Sequence, residues 1–157
     1  MALVKDTNSY VDLAEADAYF LDRLDVAAWD AALDAQKEQA LITATTHLES
    51  LDWVGQVISD AQNLAFPRYG VYYDPRIGSD ILLDATVPDR ILKANYEMAY
   101  HFLNNDGILD DTGKVESIAV GSITLTNIQN PNMIPLVAKN LIKPLLVHGG
   151  NSWWRAN

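Results

Sequence analysis

Residues 34–51, DAQKEQALITATTHLESL, decide the fold, because they predict one long helix. The segment is rich in Ala, Gln, Glu and Leu, which have high helix propensity, and Asp34 is a credible N-cap. Its apolar side chains recur at helical spacing and form a stripe that must be buried against other elements. The stripe consists of Ala40, Leu41, Ala44, His47, Leu48 and Leu51. The expected fold class is therefore mainly α, a small helical bundle.

Two helical segments are predicted upstream of this helix. Asp12 is followed three residues later by Glu15, which is the spacing of a capping box, so a helix begins here. Residues 25–33 read as a short turn or helical piece around Trp29. The apolar residues that fall on one face of the first helix are Leu13, Ala16, Phe20 and Leu24.

Two further helices are predicted downstream, and each is marked by a proline. Pro88 fits the first position of a helix, where its missing N–H costs nothing, and Gly107 is suited to end that helix. Pro135 starts a last helix, which Pro144 should kink or end. The inner face of the first of these two consists of Ile91, Ala94, Asn95, Met98, Phe102 and Leu103.

The segment between the central helices, residues 56–86, is interrupted by prolines and glycines and predicts a long ordered loop that wraps the bundle. Its aromatic anchors are Phe66, Tyr69, Tyr72 and Tyr73. Residues 115–126 predict instead a short β-hairpin, or one bulged strand, that needs a partner to be stable. The apolar residues of this β segment are Ile118, Val120, Ile123 and Leu125.

The domain organisation that follows is one helical domain, residues 1–148, and an extended C-terminal tail, residues 149–157. The tail follows Gly149-Gly150 and carries Trp153, Trp154 and Arg155, residue types that anchor protein interfaces. Either the tail folds back to cap its own bundle or it docks on another chain, and we favour docking. The apolar residues of the β segment are expected to contribute to the same protein interaction.

Composition excludes several functional classes. The 157 residues carry a net charge of −10 and contain no cysteine, so neither a disulfide framework nor a thiolate metal site is expected. His47, His101 and His148 have no ligands at metal-binding spacing, and no phosphate loop or nucleophile motif is present. We therefore expect no enzyme activity, no cofactor and no metal. No apolar run is long enough to span a bilayer, so no membrane partner is expected.

Residues 8–20, NSYVDLAEADAYF, resemble the opening of a phage family described as DnaT-like single-stranded-DNA-binding proteins. The resemblance covers residues 8–103. It continues through Trp29, through ALITAT at 40–45 and LDWVG at 51–55, and through LAFPR at 64–68 with Gly70 and Val71. It ends with Val87-Pro88 and a helix that carries Ala94 and Ala99.

This family also resembles the head–tail connectors of tailed phages, and the resemblance leaves two functions open. One is a structural adaptor, a twelve-fold homo-oligomeric ring in the virion. It would be bound to the portal protein on one side and to a tail, nozzle or stopper protein on the other, with double-stranded DNA passing through its lumen without specific binding. The other is single-stranded-DNA binding in phage replication. Single-strand binders commonly use basic grooves, whereas this chain is acidic with scattered lysines and arginines. We therefore favour the connector, located in the virion and in the host cytoplasm during assembly.

Overall fold

The computed structural model describes residues 2–104, 117–120, 123–126 and 134–147. The capping box predicted at the first helix is confirmed. Helix α1 (Leu13–Leu21) begins after Asp12, whose carboxylate accepts from the Glu15 N–H at 2.8 Å, while the Asp12 N–H donates to the Glu15 carboxylate at 3.0 Å. Leu24 was expected on the buried face of this helix, but that prediction is wrong. The helix ends at Leu21, so helical spacing no longer positions Leu24, which is 91% exposed.

The short helix α2 (Ala27–Ala31) holds Trp29 in the core, and helix α3 (Asp34–Glu49) follows at the predicted place. Leu33 rather than Asp34 is the N-cap, because the Gln36 side chain accepts from the Leu33 N–H at 2.9 Å. The predicted stripe of α3 is confirmed: Ala40, Leu41, Ala44 and Leu48 are buried, and His47 and Leu51 are half-buried.

Downstream, residues 56–86 form a three-stranded antiparallel sheet, which corrects the prediction of a long loop. The strands are β1 (Gln56–Val57), β2 (Arg68–Asp74) and β3 (Ser79–Asp84), in the order β1-β2-β3. A half-buried strand normally shows alternating polar and apolar residues. In RYGVYYD, the sequence of β2, tyrosines lie on both faces of the sheet, Tyr69 and Tyr73 on one and Tyr72 on the other, so the alternation is hidden. The fold is therefore a helical bundle joined to a small β-sheet.

Helix α4 (Asp89–Leu103) follows Pro88, which is its N-cap rather than the first helical residue as predicted, and forms the centre of the bundle. It packs against α3 and also contacts α2. Its predicted inner face is confirmed, with Leu103 half-buried, but Tyr96, Glu97 and Ala99 are buried as well. A helix surrounded by neighbours on several sides shows a wider buried face than an amphipathic surface helix.

Buried polar side chains join α4 to its neighbours. The Asn95 amide donates to the Thr45 hydroxyl on α3 at 2.7 Å. Glu97 accepts from the Tyr19 hydroxyl on α1 at 2.6 Å and forms an ion pair with Arg23 at 3.0 Å. Buried polar groups require such partners, so these contacts favour one arrangement of α1, α3 and α4.

The last described helix, α5 (Leu136–Ile142), begins after Pro135 as predicted and packs against α4. It continues into a 3-10 turn (Lys143–Leu145) that contains Pro144; of the two predicted effects of this proline, a kink or an end, the structure shows the end of the α-helix. After the turn the chain runs beside residues 52–54. There the Val147 N–H donates to the Asp52 carbonyl, and the Val54 N–H donates to the Leu145 carbonyl, each at 2.9 Å.

Arg68 attaches the sheet to the bundle. Its guanidinium donates to the Gly55 carbonyl at 2.6 Å, to the Val54 carbonyl at 2.9 Å and to the Ala65 carbonyl at 3.2 Å. Gly55 has a φ of +77°, and a Cβ at this position would lie 2.2 Å from the carbonyl oxygen of Tyr69. The chain can make this close crossing only because residue 55 lacks a side chain.

Residues 117–126 contain the predicted β-hairpin, formed by β4 (Ser117–Val120) and β5 (Ile123–Thr126). The strands pair antiparallel, with Ile118 opposite Leu125 and Val120 opposite Ile123.

Within the described ranges, no helix has the length and apolar character needed to cross a membrane.

Candidate functional site

One face of the β1–β2–β3 sheet is open to solvent, and we call it the outer sheet face. It carries Tyr69, Val71 and Tyr73 from β2 and Asp80, Leu82 and Asp84 from β3. The register places Tyr69 opposite Asp84, Val71 opposite Leu82, and Tyr73 opposite Asp80. Directly opposite residues of an antiparallel pair share a face, so these six side chains form one surface.

Aromatic and aliphatic groups dominate the centre of this surface. Tyr69 and Tyr73 are each 56% exposed, and Leu82 is 73% exposed. The two tyrosines are four residues apart on one strand, which corresponds to about 13 Å. Val71 lies between them and is also exposed. Two exposed rings on a flat, rigid backbone are suited to stacking against planar ligands.

The opposite face of the sheet is turned towards the protein. Leu83 is buried and belongs to the hydrophobic core, and Tyr72 and Ile81 are half-buried. This inner packing holds the backbone that presents the outer tyrosines, so a change on the outer face is expected to leave the fold intact.

A charged cluster lies at the tip of the β2–β3 hairpin. The buried Asp74 carboxylate forms ion pairs with Arg76 at 3.0 Å and with Arg90 from α4 at 2.8 Å. Hydrogen bonds from Arg76, and then from Arg90, hold the pKa of Asp74 well below its usual range, although burial acts in the opposite direction. Asp74 is therefore ionised at neutral pH. The Arg76 side chain is 71% exposed, so it presents positive charge to solvent at the hairpin tip.

Three of the other described cations form ion pairs within the protein. Lys5 pairs with Glu15, Arg23 with Glu97, and Lys37 with Asp17. Within residues 2–104 and 134–147, three exposed lysines form no ion pair. They are Lys93, Lys139 and Lys143. Lys143 lies in the 3-10 turn that contacts β2.

Two cavities in the described part of the chain are small and open. The first, of about 270 Å³, lies between β3 and the start of α4, with Tyr72, Arg76 and Arg90 in its wall. The second, of about 310 Å³, is lined by Phe20 and Trp29 together with charged side chains. Ligand pockets typically measure about 300–1,000 Å³, so both are at or below the lower end of that range.

Histidines were predicted to be packing residues rather than ligands. The His47 ring lies 5.0 Å from the ring of Phe102, between α3 and α4, and His101 is half-buried. His148 is outside the described residues. Within the described ranges, no group of three or more potential ligand side chains is arranged to hold a metal ion.

The six residues of the outer sheet face are not among the site residues predicted from sequence. Ile118, Val120, Ile123 and Leu125 are on the β4–β5 hairpin, and their role in protein contacts stays a prediction. Trp153, Trp154 and Arg155 lie outside the described residues. The outer tyrosines, Tyr69 and Tyr73, were read as anchors of a loop. The spacing Tyr69, Val71, Tyr73 is the signal that could have placed them on one face of a strand.

Residues 2–156 match a family model described as "Putative DnaT-like ssDNA binding protein". No curated protein and no solved structure matches the chain. The family match overturns the head–tail connector prediction and, with it, the predicted portal and tail partners and the ring through which DNA passes unbound. The error came from net charge, which is a sum over the whole chain and does not describe the local chemistry of one surface.

Proposed function

Because the chain belongs to the DnaT-like single-stranded-DNA-binding family, we propose that it binds single-stranded DNA through the outer sheet face. The observation that supports this proposal is the pair of exposed tyrosines, Tyr69 and Tyr73, on one strand of a supported sheet. Unpaired bases have exposed aromatic faces, and exposed aromatic side chains on a sheet provide stacking partners for them.

Stacking explains how an acidic protein can bind a polyanion. Base–aromatic stacking contributes about 1–3 kcal/mol per base and does not depend on the charge of the protein. Two tyrosines would therefore contribute about 2–6 kcal/mol in total, assuming additive effects. Duplex DNA hides its base faces inside the helix, so this surface favours single strands.

Few cations are available to contact phosphates. Arg76 at the hairpin tip and Lys143 in the turn that contacts β2 are exposed cations on elements next to the sheet, while Asp80 and Asp84 on the outer sheet face repel phosphates. For single strands, the slope of log K against log salt is about −0.7 per neutralised phosphate. With one or two such contacts, we expect a slope of about −0.7 to −1.4. A steep slope would show that the binding surface is elsewhere.

The test is fluorescence anisotropy with a labelled oligo-dT, using the full chain. We expect the double variant Tyr69→Leu/Tyr73→Leu to lose at least about 25-fold in affinity, since each ring contributes at least about 1 kcal/mol. The matched control is Tyr69→Phe/Tyr73→Phe, which retains both rings and should bind nearly as well as the wild type. A duplex of the same length should bind more weakly than the single strand.

Two outcomes would contradict the proposal. One is the absence of wild-type binding to oligo-dT at low salt. The other is wild-type affinity in the Leu double variant while its circular dichroism and thermal unfolding also match the wild type. Because both tyrosines are exposed, the substitutions should not unfold the protein.

A further inference from the structure

The outer sheet face is an unusually apolar surface to leave uncovered. Its central residues, Val71 and Leu82, are flanked by the two exposed tyrosines, and within the described ranges no element packs over them. Contiguous exposed apolar surface usually marks a site that contacts something else. The course of the chain points to an occupant for this face when DNA is absent.

The described chain ends beside this sheet. The Val147 N–H donates to the Asp52 carbonyl, so residue 147 lies next to residue 52. Gln56, only four residues further along, pairs with Tyr69 at the end of the outer sheet face. Four residues span at most about 14 Å, so residue 147 lies close to the first tyrosine of this face.

The remaining residues are long enough to cover the face. From Val147 to Trp153 the chain can extend by up to about 20 Å, and Gly149-Gly150 allow it to turn freely. The second cavity described above, which is lined by Phe20 and Trp29, is less accessible to this segment. It lies near the start of α3, about 18 Å along the helix axis from Glu49, whereas residue 147 lies beyond the other end of α3.

The chemistry of the segment also matches the outer sheet face. Trp153 and Trp154 provide two large apolar rings for a surface made of tyrosine, valine and leucine. Arg155 is the one Lys or Arg among residues 148–157, and the face carries Asp80 and Asp84. The segment and the face are therefore complementary in both apolar character and charge.

We propose that the C-terminal segment, residues 148–157, docks on the outer sheet face when DNA is absent and competes with single-stranded DNA for it. Trp153 and Trp154 cover the apolar centre, and Arg155 lies beside the carboxylates. The competition rests on the proposed DNA-binding function of this face, but the docking itself does not. The segment thus sets how much of the protein is ready to bind DNA.

Docking can be tested without DNA by acrylamide quenching of tryptophan fluorescence. The chain has four tryptophans, and Trp29 and Trp53 are buried, so quenchable emission comes from Trp153 and Trp154. We expect Leu82→Asp in the full chain to increase quenching, because it places a charge in the docking surface. The matched control is Leu24→Asp, a similarly exposed leucine on another part of the protein, which should leave quenching unchanged. The variant Trp153→Ala/Trp154→Ala gives the baseline from the buried tryptophans.

Competition is tested by oligo-dT binding to the same Trp153→Ala/Trp154→Ala variant. If the face is free in one-tenth of the wild-type molecules, removing the competitor raises the apparent affinity about tenfold. Unchanged or reduced DNA affinity would overturn the competition. Equal quenching in the Leu82→Asp and wild-type proteins would overturn the docking. Absence of DNA binding in every variant, together with increased quenching in Leu82→Asp alone, would contradict the proposed function while supporting the docking.

Discussion

Replacing Arg68 with methionine removes the hydrogen bonds by which the guanidinium attaches the sheet to the helical bundle. The guanidinium donates to the carbonyls of Gly55, Val54 and Ala65 at 2.6–3.2 Å, with the Trp53 carbonyl further away at 3.4 Å. Methionine keeps most of the side-chain length and apolar contact but donates no hydrogen bond. The carbonyls of this chain crossing then lose their shared donor.

The magnitude follows from three short bonds to a charged group. Hydrogen bonds to charged groups contribute about 1.5–3 kcal/mol each, but Arg68 is half-buried and water can partly replace it, so we take about 1 kcal/mol per bond. The expected loss in the free energy of unfolding is about 3 kcal/mol, out of a typical total of about 5–15 kcal/mol. For a chain of this size the melting temperature should fall by about 6–12 °C.

Urea unfolding at neutral pH, followed by circular dichroism, measures this loss. Arg68→Lys should lose about half as much free energy, because one ammonium reaches fewer of the carbonyls. Lys93→Met is the matched control, since Lys93 is exposed and forms no ion pair with a described residue, and it should unfold like the wild type. A change below about 0.5 kcal/mol in Arg68→Met would refute the reasoning, because such a value is typical of a surface substitution without a structural role.

Two further predictions concern charge. Asp80→Asn/Asp84→Asn removes two carboxylates from the outer sheet face and should raise oligo-dT affinity several-fold over the wild type in anisotropy titrations. The increase should be larger at about 20 mM salt than at about 200 mM salt, where screening is stronger. If the variant and the wild type bind with the same affinity at both salt concentrations, DNA does not bind on this face. The lowered pKa of Asp74 means that its stabilising contribution is complete above the ordinary Asp pKa and is lost as the pH falls below it. Asp74→Asn should therefore unfold with a smaller loss of stability between about pH 4 and pH 2 than the wild type, as measured by acid titration of circular dichroism, and an unchanged acid limb would contradict the assigned ion pairs.

Helices were predictable where their signals are local. The Asp12–Glu15 capping box and the stripe of α3 depend on residues three or four positions apart, and both are confirmed. Leu24 shows the limit of this reasoning, because helical spacing applies only while the helix continues. The width of the buried face of α4 was likewise missed, since it depends on how many neighbours surround the helix.

The sheet was missed because strand pairing is not local. Arg68 donates hydrogen bonds to carbonyls that lie 13 to 15 positions earlier in the chain. Gly55 is required only because the chain crosses itself there. The tyrosines of β2 were visible in the sequence, but which of them face solvent depends on packing of the opposite face. Net charge therefore led towards a surface that avoids DNA, whereas the exposed rings support stacking.

The amino-acid sequence alone determined the approximate positions of the helices, the capping box of α1 and the buried stripe of α3, because these follow from short-range spacing and burial of apolar side chains. The tertiary structure decided that residues 56–84 pair as a sheet and that Tyr69 and Tyr73 share one open face. The physical reason is that pairing and exposure depend on contacts between segments distant in the chain, which no local pattern encodes.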